Sequence, residues 1–248
     1  MGYSYEDVKV MELNPLYTDP RVLQYNPFLR DSLLIGQDGR RTISKLSPGW
    51  ILNTIDNPIF PNSGKRLSAS FEFAGVGGNT NFYKPRAEAI WYFRTTESQS
   101  LGLRFAGEYI VPFGDTVEIP IFERLFQGGE YSIRGFDLRS VGPQDEGTGL
   151  VLGGNKSFLF NGEYIFTLAP PVRLILFFDT GQVQARGDRF SQTDFKTSTG
   201  AEVRFMMPVM NVPLRLIFAY NPQRSGVLDN SFRPESAFNF RFAVGSSF

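Results

Sequence analysis

Apolar and polar residues alternate along most of the chain, and this pattern predicts β-strands. From Leu67 to Phe73, for example, every second residue is leucine, alanine or phenylalanine, and the residues between them are serine or glutamate. Because successive side chains of a strand point to opposite faces, such a segment has one apolar and one polar face. No stretch shows the period of an amphipathic helix. Two weaker segments and eight clear ones follow the pattern: 3–13 and 40–56, then 65–73, 83–93, 99–111, 158–168, 172–183, 195–207, 214–221 and 238–248.

The polar faces carry charges of both signs, which indicates that they line a wet space. A soluble β-sandwich would bury its apolar faces and carry few charges inside. The clear segments are about 9–11 residues long, the length that a tilted strand needs to cross a bilayer. The sequence therefore predicts an all-β fold, a transmembrane antiparallel β-barrel of about ten strands, with a soluble sandwich as the alternative. The charged residues are Arg86, Glu88, Arg104, Glu108, Glu163, Arg173, Asp179, Glu202, Arg204, Arg215 and Arg241.

The connections between these segments alternate between short and long. Outer-membrane barrels have short periplasmic turns and longer extracellular loops. We therefore expect residues 1–248 to form a single barrel domain, with residues 112–156 as a long extracellular loop. Pro48 should interrupt the second strand or place it at an edge, because proline cannot donate to a sheet ladder. The short connections are 95–98, 169–171 and 208–213, and the long ones are 74–82, 112–156, 184–194 and 222–237.

The composition narrows the chemistry that the chain can perform. Cysteine and histidine are both absent, which excludes cysteine nucleophiles, histidine bases and zinc sites built from these residues. The 25 basic and 25 acidic residues balance, so no basic footprint predicts nucleic-acid binding. No carboxylate pair is singled out, and we expect no catalytic residue, metal, cofactor or enzyme activity. No apolar run reaches the roughly 18 residues of a transmembrane helix, and the first residues lack the basic and apolar regions of a signal peptide.

The long loop contains an unusual segment, residues 123–143, that is rich in glycine, arginine and large apolar residues. Its phenylalanine, tyrosine, leucine and isoleucine content is too high for a disordered segment, which favours an ordered loop with Arg134 at its tip. Gly128, Gly129 and Gly135 are expected to permit left-handed backbone angles or close approach, with plain flexibility as the alternative. The guanidinium of Arg134 is permanently charged and donates in a planar fork that suits carboxylates.

This tip, Ile133-Arg134-Gly135-Phe136, resembles the (V/I)-R-G-(F/Y) motif in the sixth outer loop of the BamA-type outer-membrane assembly and translocation barrels. Its flanks, residues 123–129 and 139–143, and the later segment 177–181 are similar to the same family. The family's barrel has more strands than this chain and follows periplasmic POTRA repeats, which this chain lacks.

The end of the chain also resembles that family, whose members finish in a strand of alternating aromatics that acts as a sorting signal. Phe240, Phe242, Gly245 and Phe248 occupy this strand. The resemblance implies an integral protein of the bacterial outer membrane. It further implies that the first and last strands meet in a weak seam, and that the free edge of the last strand can template a client strand.

For the loop, the resemblance implies that it folds back into the lumen and that Arg134 pairs with Glu163 and Asp179. The strand phase places both acids on the lumen face. The alternative is an ordinary surface arginine. Two further pairs of charges, Arg86 with Glu88 and Glu202 with Arg204, either line a conducting pore or are satisfied charges of the barrel wall.

The implied activity is insertion of nascent outer-membrane proteins, or secretion of a polypeptide, without nucleotide or metal. The implied partners are the lipid bilayer, unfolded outer-membrane clients, and the POTRA repeats or accessory lipoproteins of a longer parent. Whether copies of the chain form a homo-oligomer is left open. Two alternatives of other classes are a reduced structural barrel without client activity, which the missing repeats favour, and a passive pore for small solutes.

Overall fold

One antiparallel β-sheet contains nearly all of the regular structure in the computed structural model, which describes residues 1–11, 39–145, 149–169, 171–207 and 212–245. In these ranges, no helix is long and apolar enough to cross a membrane. The strands are β1 (Gly2–Val10), β2 (Gly39–Ser47), β3 (Gly49–Asn53), β4 (Gly64–Gly78), β5 (Phe82–Arg94), β6 (Gln99–Tyr109), β7 (Val111–Pro112), β8 (Lys156–Ala169), β9 (Val172–Gln184), β10 (Lys196–Met207), β11 (Val212–Gln223) and β12 (Phe238–Val244).

The strands pair in chain order. The path runs β1-β2-β4-β5-β6-β8-β9-β10-β11-β12, and β3 and β7 pair with β4 and β5 beside it. Ten strands therefore lie on the path, which agrees with the predicted number. Among the described residues, β1 and β12 do not pair with each other. Phe248 and the other last residues, 246–248, lie outside the described ranges.

Two connections show how local residue chemistry shapes the strands. Pro48 separates β2 from β3, as expected, while its carbonyl still accepts a hydrogen bond of 3.0 Å from the Phe71 backbone. The expected long connection 74–82 is wrong, because β4 continues to Gly78 and β5 begins at Phe82. The glycine-rich end of β4 suggests a loop in the sequence, but Gly78 pairs with Ile43 of β2 and takes a φ of +92°.

The two faces of the sheet differ as the alternation predicts. In β9, Leu176 and Phe178 are exposed on the outer face, whereas Phe177 and Asp179 are buried on the inner face. Aromatic rings of neighbouring strands contact each other on the outside, and the Phe105 and Phe160 ring centroids lie 4.8 Å apart. An apolar outer face with charges inside is the arrangement of a membrane barrel.

The inner face holds an apolar layer as well as charges. Ile90, Tyr92, Ile165 and Ile175 form a buried cluster on the inner side of β5, β8 and β9. This layer lies towards the end of the strands where short turns connect them, which we call the turn end. The other end, from which residues 113–155, 185–195 and 224–237 emerge, is called the loop end. The apolar layer was not predicted from the sequence, because its residues alternate within the same polar faces.

Candidate functional site

The described parts of the long loop between β7 and β8, residues 113–145 and 149–155, fold inside the curved sheet, and we call them the plug loop. Isolated bridges join Leu125 to Gly154 and Gln127 to Val141, so the loop has its own ordered framework. Its motif residues Ile133 and Phe136 are fully buried in a cluster with Val141, Leu159 and Val227. The free energy gained by burying these apolar side chains offsets the conformational entropy that the loop loses when it becomes ordered.

Arg134 lies in the centre of the sheet's inner space and is 1% exposed. Its Nε and Nη2 donate to the two oxygens of Asp179 at 2.7 Å each, which forms a bidentate ion pair. Its Nη1 donates to Glu163 Oε1 at 2.7 Å. The guanidinium also stacks on the Phe177 ring, 3.9 Å from the ring centroid. The structure thus brings together the arginine and both acids that the sequence placed on the lumen face.

Gly135 explains how the backbone reaches this position. Its φ is +88°, which side chains of L-residues rarely adopt. A Cβ at this residue would lie 2.6 Å from both Ala219 Cβ and Asn221 Oδ1 of β11. Only glycine satisfies both the left-handed backbone and the close approach to the wall. Gly128 and Gly129, earlier in the loop, also have positive φ, at +100° and +99°.

The ion pair of Arg134 is part of a larger network, of which the sequence indicated Glu202 and Arg204 as a pair but not their link to Arg134. Glu202 of β10 accepts from Arg134 Nη1 at 3.2 Å and from Arg204 and Arg215 at 2.7–2.8 Å. Arg204 also approaches Glu163, at 3.4 Å. Three arginines and three carboxylates therefore balance in one cluster. The available signal was that all of these charges lie on inner faces, but the sequence alone does not show which charges meet.

A second charge cluster holds the start of the plug loop. Glu123 is the last residue of a short 3-10 turn, Ile121–Glu123, and is buried. Its Oε1 lies 2.8 Å from Lys45 Nζ of β2, and its Oε2 lies 3.5 Å from Lys84 Nζ of β5. This role of Glu123 could not be predicted from the sequence, because its partners Lys45 and Lys84 are far away along the chain. The plug loop is thus tied to the first strands as well as to β8–β10.

The plug loop also contacts the inner face of β12. Asn239 Nδ2 donates to the Gly135 carbonyl at 2.8 Å, and Arg241 forms an ion pair with Asp137. The Tyr131 hydroxyl donates to the Val244 carbonyl. The motif region therefore joins the middle of the barrel wall to its last strand.

The predicted sorting-signal residues lie on and just after this strand. Phe240 and Phe242 are exposed on its outer face, and the Phe240 ring lies 5.0 Å from that of Phe218. Gly245 has a φ of +107°, and its N–H donates to the Pro213 carbonyl at 2.8 Å. Phe248 lies outside the described residues.

Two carboxyl groups in the loops near β12, Asp137 and Glu235, have shifted pKa values. Burial acts to raise the pKa of Asp137, but hydrogen bonds from the Asn230 N–H and from Arg241 lower it below its ordinary value. Burial raises the pKa of Glu235, an effect that a hydrogen bond from Asn239 partly opposes. Asp137 is thus set up to remain charged opposite Arg241.

At the turn end, residues 54–63 contact the inner face of the sheet. Arg173 of β9 donates to the Pro61 and Phe60 carbonyls at 2.9 and 3.1 Å and to Asn62 Oδ1 at 2.9 Å. Ile55 packs against the apolar layer above the turn. Of the charges that were considered as pore-lining, Glu202 and Arg204 pair with each other in the central cluster, at 2.7 Å, and Glu88 pairs with Arg66 and Arg104 of the wall, at 3.1 and 2.6 Å.

Comparison with known proteins gives matches over the whole chain. The family model described as the Omp85 superfamily domain matches residues 1–248. The outer membrane protein assembly factor BamA of Nitratidesulfovibrio vulgaris is 30% identical over 217 residues, covering 86% of this chain and 26% of that protein. BamA of Neisseria meningitidis is 27% identical over 250 residues, covering 86% of this chain and 30% of that protein. The chain thus spans less than a third of the length of these curated relatives.

A more distant relative and a solved structure are also similar. The sorting and assembly machinery component 50 homolog of Homo sapiens is 31% identical over 135 residues, which cover 54% of this chain and 28% of that protein. The crystal structure of BamA from Haemophilus ducreyi lacking POTRA domains 1-3 superimposes with a TM-score of 0.73 at 20% identity, covering 98% of this chain and 49% of that chain. This likeness confirms the predicted barrel fold.

Proposed function

Because the chain belongs to the Omp85 superfamily, we propose that it is the membrane part of a machine that inserts unfolded β-barrel proteins into the outer membrane. As a member of this family it is an integral outer-membrane β-barrel protein. Insertion of clients is an activity of the whole machine, and this chain corresponds to less than a third of its relatives' length. The related proteins named BamA are described as assembly factors of outer membrane proteins.

The arrangement around β12 carries this proposal. Within the described residues, one edge of β12 pairs with β11, from Leu214 opposite Val244 to Tyr220 opposite Phe238. The other edge has no strand beside it in these residues. An edge with unpaired backbone groups can bind an incoming strand by β-augmentation. The plug loop contacts the inward side chains Asn239 and Arg241, and its Tyr131 hydroxyl binds the Val244 carbonyl at the end of the strand.

The inner space argues against a passive pore as the main role. Arg134, Arg204 and Arg215 are each at most 1% exposed, so no wide water path passes beside them. At the turn end, Arg173 holds residues 60–62 against the inner face of the sheet. A porin-like channel instead needs an open polar lumen.

The proposed role is binding and templating, without covalent catalysis. The partners would be the lipid bilayer, unfolded outer-membrane clients, and periplasmic repeats or accessory lipoproteins in a longer parent. The buried arginines and acids serve each other as partners, and the proposal assigns none of them to a reacting substrate. The alternative of a structural barrel without client activity predicts the same fold and differs only in the absence of insertion.

Reconstitution separates these two roles. The chain is refolded into liposomes, a small unfolded outer-membrane barrel is added, and its insertion is followed by protection from protease. We expect faster insertion than into empty liposomes of the same lipid. The variant Arg40→Gln, which removes an exposed ion pair with Asp7, serves as a matched control and should behave like the unmodified chain. Equal rates with and without the chain would favour the structural barrel.

A further inference from the structure

The last strand, β12, is held by backbone pairing with β11 and by contacts with the plug loop. On one edge its backbone pairs with β11 over seven residue pairs. Its inward side chains Asn239 and Arg241 bind the plug loop at the Gly135 carbonyl and at Asp137, and its Val244 carbonyl accepts a hydrogen bond from Tyr131. These contacts lie on alternate inward positions and at the end of the strand, so they follow it along most of its length.

We propose that Asp137 and Arg241 are positioning residues, which fix β12 against the plug loop so that its free edge is presented to a client strand. The side chains of this pair are 15% and 27% exposed, so water screens them less than it screens a surface pair. A second partner orients Asp137, because its other oxygen accepts from the Asn230 N–H at 2.7 Å. Arg241 has a further contact of 3.5 Å to the Gly135 carbonyl.

The position of this pair in the sequence explains why it would matter. Asp137 lies three residues after Arg134, whose guanidinium is anchored to β8 and β9 by Glu163 and Asp179. The short segment between them cannot shift independently of that anchor, and Gly135 within it packs against β11. The ion pair to Arg241 therefore transmits the fixed position of the motif to β12. This inference rests on the proposed function only for its consequence, the presentation of an edge to a client.

Hydrogen–deuterium exchange of the refolded chain in liposomes tests the structural part. Arg241→Gln and Asp137→Asn should speed exchange of the β12 amides about tenfold, which corresponds to about 1.4 kcal/mol, and leave β8–β10 unchanged. Asp137→Asn keeps one oxygen as the acceptor for the Asn230 N–H and replaces the charged oxygen opposite Arg241 with an amide NH2. Arg241→Lys keeps the charge and should restore slow exchange. Exchange of β12 that is no faster than in the control Arg40→Gln would overturn the proposal.

If Arg241→Gln does not fold, two milder variants still test how the plug loop holds β12: Asp137→Asn and Tyr131→Phe. Tyr131→Phe removes only the hydrogen bond to the Val244 carbonyl. It should speed exchange at the end of β12 by about threefold, a loss at the lower end of the range for one hydrogen bond. Tyr131→Phe thus measures the other contact between the plug loop and β12, and unchanged β12 exchange in Asp137→Asn would overturn the proposal.

The insertion assay then tests the consequence. Arg241→Gln should slow client insertion about tenfold, and Arg241→Lys and Arg40→Gln should not. Faster exchange of β12 with unchanged insertion would refute the role in presenting the edge, while the contact itself would stand. If the unmodified chain inserts no client but Arg241→Gln still loosens β12, the proposed function fails and the positioning of the strand is supported.

Discussion

Removal of the Arg134 charge should cost more stability than any other single change in the inner network. The residue forms a bidentate pair with Asp179, a bond to Glu163 and a weaker bond to Glu202. Arg134→Gln would leave three buried carboxylates opposite only Arg204 and Arg215. Leaving one buried charge unpaired typically costs about 3–5 kcal/mol of the free energy of unfolding.

The variant Arg134→Lys shows how much of the stabilisation comes from the positive charge at position 134 and how much comes from the planar shape of the guanidinium. A lysine keeps the positive charge but cannot form the planar two-point contact with Asp179. It also loses the stacking on Phe177. We expect it to cost about 2 kcal/mol, between the unmodified chain and Arg134→Gln.

Urea-induced unfolding in liposomes, followed by the fluorescence of Trp50 and Trp91, measures both changes. Arg40→Gln is the matched control, because its pair with Asp7 is exposed to solvent and should contribute no measurable stability. A double-mutant cycle adds Glu202→Gln to Arg134→Gln and should show coupling between the two residues. If Arg134→Gln unfolds at the same urea concentration as the control, the inner network does not stabilise the barrel and the reasoning is refuted.

Three other changes test separate parts of the structure. Gly135→Ala should destabilise the chain by about 2–4 kcal/mol, from strained φ and overlap with β11, whereas Gly187→Ala, at φ +100° with open space around it, should cost only about 1 kcal/mol in the same unfolding assay. The pKa of Asp137 is lower in the folded chain than in the unfolded chain, so its stabilisation is complete above the unfolded pKa and is lost as the pH falls through the folded pKa. Asp137→Asn should therefore flatten the acid side of the unfolding midpoint measured against pH, and an unchanged acid slope would contradict this assignment. Arg173→Gln should speed hydrogen exchange of residues 54–63 without raising single-channel conductance, because the buried cluster of Arg134, Arg204, Arg215 and their acids still fills the middle of the inner space. A large conductance increase would show that this cluster does not block the inner space.

Much of this fold could be predicted because the two faces of the strands meet different surroundings. In β8, β9 and β10 the lipid side selects large apolar residues and the inner side admits charges, so the alternation marks both the strands and their orientation. The apolar inner layer escaped prediction, since Ile165 and Ile175 are inward residues in a space that the pattern marks as wet. A lumen filled by its own loop and turn contains dry regions, and alternation alone cannot distinguish them from wet ones.

The candidate site was predictable only where a local motif marks it. Ile133–Phe136 identified the loop tip, and strand phase identified Glu163 and Asp179 as inward acids. Glu202 had the same phase and type of charge, but nothing local separates a partner of Arg134 from an ordinary charge of the wall. The link from Glu123 to Lys45 likewise depends on how far the sheet curves, which is a property of the whole barrel.

The separate contacts of the plug loop together give it a mechanical role. Glu123 ties its start to Lys45 of β2, Arg134 ties its tip to β8–β10, and Asp137 ties the following segment to Arg241 of β12. Because short ordered segments separate these points, the plug loop connects early and late strands from the inside. Strands that do not pair with each other are thereby linked through the loop. A displacement of β2 at Lys45 should consequently be transmitted to the last strand, which is the element to which we assign client binding.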